Sequence, residues 1–129
     1  MGVDPTRVVL GHSGDSTDAD HLSRLADLGY TLGMDRFGID AILPFEDRVA
    51  TVAEMVKRGY ADRMVLSHDA SCYFDWLDPA FHGAAANWHY LHIENDVLPA
   101  LRRLGVTEEQ INQMLVENPH RYFETADAY

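Results

Sequence analysis

The sequence is poor in the features that mark several classes of protein. A single cysteine in 129 residues excludes a disulfide within the chain and fits a reducing compartment, so a cytoplasmic location is expected. Lys and Arg number 10 against 21 Asp and Glu, and the net charge of −11 argues against nucleic acid and anionic membranes as partners. No apolar run approaches the roughly 18 residues of a transmembrane helix, and the first residues lack the layout of a signal peptide.

What is present is the composition of one globular domain. Hydrophobic residues make up 47% of the chain and charged residues 24%. A chain of this length can bury a sizeable core. We therefore expect residues 1–129 to belong to a single domain.

Strand and helix patterns alternate along the chain. Short apolar runs predict buried strands, whereas apolar residues at helical spacing between capping residues and glycines predict helices. The strands are expected at Arg7–Gly11, Tyr30–Met34 and Arg63–Ser67, and the helices at Asp18–Leu28, Phe45–Arg58, Ile93–Leu104 and Thr107–Val116, with a last short turn over Glu117–Phe123. This order predicts an α/β fold with parallel strands, right-handed crossovers and flanking helices.

Polar side chains follow each predicted strand. In parallel α/β folds the carboxyl ends of the strands form the functional face, and here the loops after the strands are the long ones. The residues concerned are His12 and Asp15 after the first strand, Asp35 and Arg36 after the second, and His68 and Asp69 after the third. We therefore expect a site at this edge of the sheet.

His12 and Asp69 form the pair with the clearest chemical meaning. A neutral imidazole nitrogen and a carboxylate oxygen are ligands of divalent metals, but a catalytic zinc needs three protein ligands. Spacing alone therefore favours a second interpretation, in which His12 caps a helix and Asp69 makes a local turn. Because His68 precedes Asp69, only one of these two side chains can face the centre of the site.

The long segment from about Ala70 to Trp88 carries further candidates. Trp76 and Trp88 bracket an aromatic-rich loop that is either a lid or pocket wall, or a small core of its own. Cys72 has no partner at useful spacing and is not expected to act as a nucleophile. Three nearby histidines are predicted to be solvated or capping residues: His82, His89 and His92.

Five stretches carry a resemblance that goes beyond spacing. They are "VVLGHSGDSTD", "LGMDRFG", "GYADRMVLSHDA", "WHYLHIENDVLPALRRLGV" and "MLVENPHRYF". In this order they closely resemble the C-terminal portion of the phosphotriesterase family, in its lactonase-like branch within the amidohydrolase superfamily. The resemblance covers essentially the whole chain, and it is specific because five separate stretches occur in the same order as in the family.

The resemblance implies a (β/α)8 TIM barrel, of which this chain supplies only the last three βα units, strands six to eight. Residues 1–129 are thus expected to be the C-terminal part of the barrel domain, an incomplete barrel. The family holds two divalent metal ions, with zinc the expected metal. Its first strand supplies a His-x-His pair, its fourth a bridging Lys and its fifth a His, and none of these can be placed here. With two ligands of roughly six, the chain alone is not expected to hold the metals tightly.

The resemblance also implies roles for single residues. His12 is similar to the metal ligand of the sixth strand. Asp69 is similar to the ligand of the eighth strand, which also contacts and deprotonates the bridging hydroxide. Asp15 resembles a member of the proton relay. Arg36 stands where phosphotriesterases proper have a His, a departure that resembles the lactonase branch, and with Trp76 it is expected to line the substrate pocket.

Two hypotheses for function follow. The leading one is a metal-dependent hydrolase that cleaves a lactone or ester, and organophosphate triesters more weakly, once the barrel is complete; the isolated chain is expected to be inactive. The other is a truncated or split-barrel unit without catalysis, whose open strand edges lead to self-association or pairing with a missing N-terminal half. A doubly wound domain with Asp35 or Asp69 as phosphoryl acceptor is disfavoured, because the first strand ends in Gly11-His12 instead of an acidic cluster.

Overall fold

The computed structural model describes residues 3–71, 75, 78 and 85–124. Within them strand and helix alternate, as predicted. The strands are β1 (Val9–Leu10), β2 (Thr31–Met34) and β3 (Met64–Leu66), and the first two helices are α1 (Ala19–Asp27) and α2 (Phe45–Lys57). Short 3-10 helices cover Pro5–Arg7, Ser13–Asp15 and Ala61–Arg63. Each strand is shorter than its predicted run; Arg7 and Arg63 end 3-10 helices, and Gly11 lies in a turn.

The three strands form one parallel sheet in the order β1-β2-β3. Leu10 lies opposite Leu32, and on the other side of β2 Leu32 lies opposite Met64. Every residue of the central strand β2 is buried, which explains its continuous apolar sequence. Since the strands are parallel and in register, their carboxyl ends meet at one edge of the sheet. The loops that follow β1, β2 and β3 therefore emerge side by side.

The helices begin and end where capping chemistry places them. Asp18 caps α1, with its carboxylate accepting the backbone N–H of His21 at 2.9 Å. Gly29 and Gly59 follow α1 and α2 with φ of 100° and 95°, a conformation that ends a helix at little cost only for glycine. Thr107 and Gln110, three residues later, form the predicted reciprocal capping box at the start of the helix Glu108–Asn112.

Two longer helices contain a widened turn ahead of a proline. The π-helical residues Ile93–Val97 run directly into α3 (Leu98–Arg103). Helix α4 (Glu108–Asn112) continues through π-helical Gln113–Glu117 into α5 (Asn118–Phe123). Pro99 and Pro119 lie in the first turns of α3 and α5; proline lacks an N–H and crowds the preceding turn, so a wider turn lets the helix continue. The predicted separate turn over the last residues is therefore the end of one longer helix.

The core lies between the sheet and the helices. Apolar side chains of β2 and β3 pack with one face each of α1, α2 and α3, and the fully buried members include Leu22, Leu32, Met34, Val52, Met55, Met64 and Leu101. A buried amide fastens α5 to the start of β3, since Asn118 donates to the carbonyls of Ala61 at 2.8 Å and Met64 at 2.6 Å. Across the described ranges, no helix has an apolar stretch long enough to cross a bilayer.

Candidate metal centre

Three residues that follow the strands have a left-handed backbone. His12, Arg36 and Asp69 have φ of 62°, 61° and 52°, and within the described part of the chain they are the non-glycine residues with positive φ. The left-handed region crowds a Cβ atom and costs on the order of 1 kcal/mol or more per residue. Strain of this kind is concentrated at functional sites. It therefore marks, independently of the resemblance, three of the residues predicted for the site.

Asp35 fixes both the backbone and the ring of His12. Its Oδ2 accepts the backbone N–H of His12 at 2.9 Å, and its Oδ1 lies 3.0 Å from Nδ1 of the ring. Because a carboxylate only accepts hydrogen bonds, Nδ1 carries a proton, and in the neutral ring Nε2 then presents a lone pair. Metal-binding histidines typically donate their other ring nitrogen to a carboxylate in this way.

Asp69, Arg36 and Asp15 form a chain of charges beside His12. The Oδ2 atom of Asp69 lies 3.9 Å from Nδ1 of His12 and 3.6 Å from Nε of Arg36. Arg36 also donates through Nη1 to Oδ2 of Asp15 at 2.9 Å. The structure thus brings together four residues that the sequence placed in the site: His12, Asp15, Arg36 and Asp69.

A buried arginine supports this edge of the sheet from below. Arg48 on α2 is 1% exposed, and its Nη1 donates to the carbonyls of Gly14 at 2.8 Å and Asp35 at 3.0 Å. Its Nη2 donates to Oδ1 of Asp15 at 2.6 Å, and its Nε donates to the carbonyl of Leu43 at 3.2 Å. Arg48 therefore joins the loop after β1 to the loop after β2. The sequence analysis missed it; the available signal was its place on the helix face that carries the buried residue Val52.

Residues 85–92 pack on the carboxyl end of β3. The indole N–H of Trp88 donates to the carbonyl of His68 at 2.7 Å, and the ring of Tyr90 meets the ring of His68 edge-on with centroids 4.8 Å apart. Burial lowers the pKa of His68, and the neighbouring Asp69 carboxylate only partly offsets this effect. His68 thus packs beneath this segment while Asp69 faces His12, as strand alternation required.

The remaining candidates separate into those the structure describes and those it does not. His89 does take a capping part, since its Nδ1 accepts the backbone N–H of Leu91 at 3.2 Å. His92 is only 2% exposed, so the prediction of a solvated or capping residue is wrong for it. The fold buries its ring against Phe45, with centroids 5.5 Å apart. Three candidates lie outside the described residues: Cys72, Trp76 and His82.

The donor set at the strand ends fits a divalent metal in kind. His12 offers an imidazole nitrogen and Asp69 a carboxylate oxygen, and both side chains are 47% exposed, so both are within reach of an ion. Asp35 orients the histidine. Two ligands are fewer than a catalytic zinc requires, so an ion here needs further ligands beyond this pair.

Comparison with known proteins places these observations in a family. The family model of the phosphotriesterase family matches residues 1–123. The chain is 60% identical over 129 residues to a phosphotriesterase homology protein of Mycobacterium tuberculosis, covering 99% of this chain and 40% of the relative. It is 38% identical over 125 residues to an aryldialkylphosphatase of Saccharolobus solfataricus, covering 95% of this chain and 40% of that protein. The chain thus spans about 40% of the length of both relatives.

Solved structures agree with this assignment. The chain superposes on the phosphotriesterase from Mycobacterium tuberculosis with a TM-score of 0.95 at 60% identity, covering 99% of this chain and 40% of that one. For a mutant of a PTE-like lactonase from Deinococcus radiodurans the TM-score is 0.84 at 37% identity, with coverage of 95% and 40%. Three parallel strands with flanking helices, matched to a fraction of these chains, confirm the prediction of an incomplete (β/α)8 barrel.

Proposed function

Because this chain belongs to the phosphotriesterase family, we propose that it supplies part of the active site of a metal-dependent hydrolase. The complete barrel cleaves a lactone or ester, and organophosphate triesters more weakly. The observation that carries this proposal is the convergence of His12, Arg36 and Asp69 at the strand ends, each with a left-handed backbone. The names of two relatives, an aryldialkylphosphatase and a PTE-like lactonase, support the substrate class.

His12 and Asp69 are the proposed metal ligands. Two divalent ions, preferably zinc, supply a Lewis acid and an activated water when bound. His12 offers Nε2, because its Nδ1 is held 3.0 Å from Asp35. Asp69 offers a carboxylate oxygen, and the other strands of a complete barrel add the remaining ligands.

Asp69 is also the proposed acceptor of the proton from the attacking water. Its carboxylate lies 3.6 Å from Nε of Arg36, and Arg36 contacts Asp15 in turn. A guanidinium is always protonated, so Arg36 cannot pass a proton on by accepting it. The proposed part of Asp15 in carrying the proton away through solvent rests on the resemblance alone; in the structure its two oxygens accept hydrogen bonds from Arg36 and Arg48.

Arg36 and Trp76 are proposed to contact the substrate. The Arg36 side chain is 30% exposed and presents a fixed positive charge beside Asp69, where it can stabilise negative charge on a carbonyl or phosphoryl oxygen. The role of Trp76 as an aromatic pocket wall rests on the resemblance alone.

The single cysteine supports the cytoplasmic location that we also propose.

A completed barrel tests the proposal directly. The chain replaces the matched 40% of the Mycobacterium tuberculosis relative, whose upstream part provides the missing strands. We expect the completed barrel to hydrolyse a lactone. His12→Ala or Asp69→Asn should lower the rate of hydrolysis by about 100-fold or more and should also lower the amount of bound metal. His21→Ala, which removes an exposed histidine of α1, is the matched control. Unchanged activity and metal content in both site variants would contradict the assignment.

A second candidate function is a non-catalytic unit that requires a partner. Within the described residues β1 and β3 each pair with β2 alone, so each leaves one edge without a neighbouring strand. This observation favours pairing with the missing part of a barrel, supplied as a separate chain, or with a second copy. Co-expression with the upstream part of the relative as a separate polypeptide distinguishes a split enzyme, which gains activity, from an inert unit.

A further inference from the structure

The proposed metal ligand Asp69 has a left-handed backbone, with φ of 52°, although it is not a glycine. Such a conformation costs free energy for a residue with a Cβ atom and persists only where its surroundings hold it. In this conformation Oδ2 of Asp69 lies 3.9 Å from Nδ1 of His12. We propose that Ser67, His68 and Trp88 are positioning residues that hold Asp69 in its left-handed conformation. The proposal rests on the proposed function only in that Asp69 is a metal ligand.

The peptide unit that precedes Asp69 is fastened at both ends. It consists of the carbonyl of His68 and the N–H of Asp69. The carbonyl accepts the indole N–H of Trp88 at 2.7 Å, and the N–H donates to Oγ of Ser67 at 3.1 Å. Ser67 is in turn tied to β2, because its backbone N–H donates to the carbonyl of Met34 at 3.2 Å. Two side chains on opposite ends of this peptide unit therefore set its orientation.

The peptide unit that follows Asp69 is held by the ring of His68. Its N–H, which belongs to Ala70, donates to Nδ1 of His68 at 2.8 Å. Because the backbone has only two soft dihedral angles per residue, the orientations of the two flanking peptide units determine φ and ψ. Fixing both units therefore fixes the direction of the Cα–Cβ bond of Asp69, and with it the direction of the carboxylate.

Trp88 belongs to a segment that is anchored to the loop after β2. The side-chain amide of Asn87 donates to Oδ2 of Asp40 at 3.1 Å. The backbone of Gly38 lies so close to the carbonyl of Asn87 that an added Cβ atom would collide with it. The indole N–H that reaches the carbonyl of His68 therefore projects from a segment held by a second loop of the strand-end edge.

The three residues act on Asp69 through its backbone, whereas Asp35 acts on the ring of His12. Removing one of them leaves every proposed ligand and every proposed substrate contact in place. It allows Asp69 to leave the left-handed region, which turns the carboxylate away from its present direction. We therefore expect weaker metal binding and a lower kcat, with little change in KM.

Two substitutions at position 69 test the conformation without any metal. Asp69→Gly relieves the left-handed strain and Asp69→Ala keeps it, so the completed barrel should melt at a higher temperature with glycine than with alanine. His68→Leu deletes the acceptor and Trp88→Phe deletes the donor. In either background this difference should shrink or reverse, because alanine can then leave the left-handed region.

Two matched variants separate the hydrogen bonds from general packing. His68→Asn keeps an acceptor near the position of Nδ1 and should preserve the advantage of glycine at position 69. Tyr90→Phe keeps the ring that meets His68 edge-on and should preserve it too. An advantage of glycine that is unchanged in both His68→Leu and Trp88→Phe would overturn the proposal.

Zinc affinity provides the second measurement, by competition with a chelating dye, together with kcat and KM for a lactone. His68→Leu and Trp88→Phe should weaken zinc binding by about 10-fold to 100-fold, whereas His68→Asn and Tyr90→Phe should bind as the parent does. Affinities like that of the parent in the first two variants, where Asp69→Asn weakens binding, would overturn the proposal. If Asp69→Asn leaves zinc binding unchanged while the advantage of glycine is lost as expected, the holding role is confirmed and the proposed function is contradicted.

Discussion

The Nδ1 atom of His12 lies 3.0 Å from Oδ1 of Asp35, whose other oxygen accepts the backbone N–H of the same histidine. One carboxylate thus sets the ring orientation and holds a strained backbone. From the sequence, Asp35 was considered as a polar strand-end residue and as a disfavoured phosphoryl acceptor, but not as a partner of His12. Its contacts make it the residue on which the usefulness of His12 as a ligand depends.

Replacing Asp35 is therefore expected to weaken metal binding without removing a ligand. In the completed barrel, Asp35→Asn should lower metal affinity and activity by about 10-fold to 100-fold, because an amide no longer fixes the Nδ1–H tautomer. Metal titration monitored by activity measures this. Asp20→Asn, which changes an exposed carboxylate of α1, is the control. Equal affinities in Asp35→Asn and the parent would show that the contact does not orient the ring.

Arg48 is expected to contribute far more to stability than Arg58, an arginine at the surface at the end of the same helix. Arg48→Met leaves Asp15 and the loop carbonyls of Gly14, Asp35 and Leu43 without their buried donor and should lower the free energy of unfolding by about 3–5 kcal/mol. Arg58→Met removes exposed pairs with Glu54 and Asp20 and should lower the free energy of unfolding far less, because solvent screens exposed ion pairs. Urea unfolding of both variants measures the difference. Similar midpoints would contradict a supporting role for Arg48.

Gly38 is expected to tolerate no side chain because of a close backbone approach. Its φ is 98°, and an added Cβ would collide with the carbonyl of Asn87 in the segment that covers β3. Gly59 has a similar φ of 95° but nothing within 4 Å of an added Cβ. Gly38→Ala should therefore destabilise the protein by clearly more than the roughly 1 kcal/mol expected for Gly59→Ala. Thermal melts compare them, and equal losses would mean that the segment moves aside freely.

The ion pair between α3 and α4 is expected to make a contribution to the free energy of unfolding that is lost at low pH. Arg102 binds Glu108 through two hydrogen bonds of 2.5 and 2.9 Å and lowers the pKa of that carboxyl. A lowered pKa stabilises the fold above the unfolded-state value, and this stabilisation is lost as pH falls through the folded-state value. A double-mutant cycle of Arg102→Gln and Glu108→Gln should give a larger coupling at about pH 6 than at about pH 3. A coupling independent of pH would rule out the ionic contribution.

The isolated chain is expected to associate with itself. Its two outer strands have unpaired edges within the described residues, and parallel sheets in complete barrels leave no such edges. Light scattering after size-exclusion chromatography should detect species larger than 14.5 kDa, and the completed barrel should lack them. A monodisperse monomer with a cooperative melt would contradict this expectation.

Much of the fold was accessible from the sequence because local rules and tertiary structure agree. Alternating strand and helix patterns, with glycines after α1 and α2, fix the order of the elements. Parallel strands bring their carboxyl ends together, so the grouping of His12, Arg36 and Asp69 followed from their place after each strand. The resemblance then assigned roles that spacing alone could not.

What escaped prediction depends on contacts between distant parts of the chain. Arg48 looks like an ordinary helix cation in the sequence, and only the fold places three loop carbonyls around its guanidinium. His92 looks like a polar residue before a helix in the sequence, and only the fold, which packs its ring against Phe45 of α2, removes it from water. The widened turns before the two prolines also follow from a helix that packing holds together across them.

At the left-handed residues after the strands, thermal stability and the presence of a functional side chain make opposite demands on the sequence. Glycine at position 12, 36 or 69 would relax the backbone while deleting the imidazole, guanidinium or carboxylate that the edge of the sheet presents. Selection for thermal stability alone would therefore favour substitution by glycine at these three positions. Side chains that persist there against this tendency record selection for what the protein does, and a library screened for melting temperature alone would discard them first.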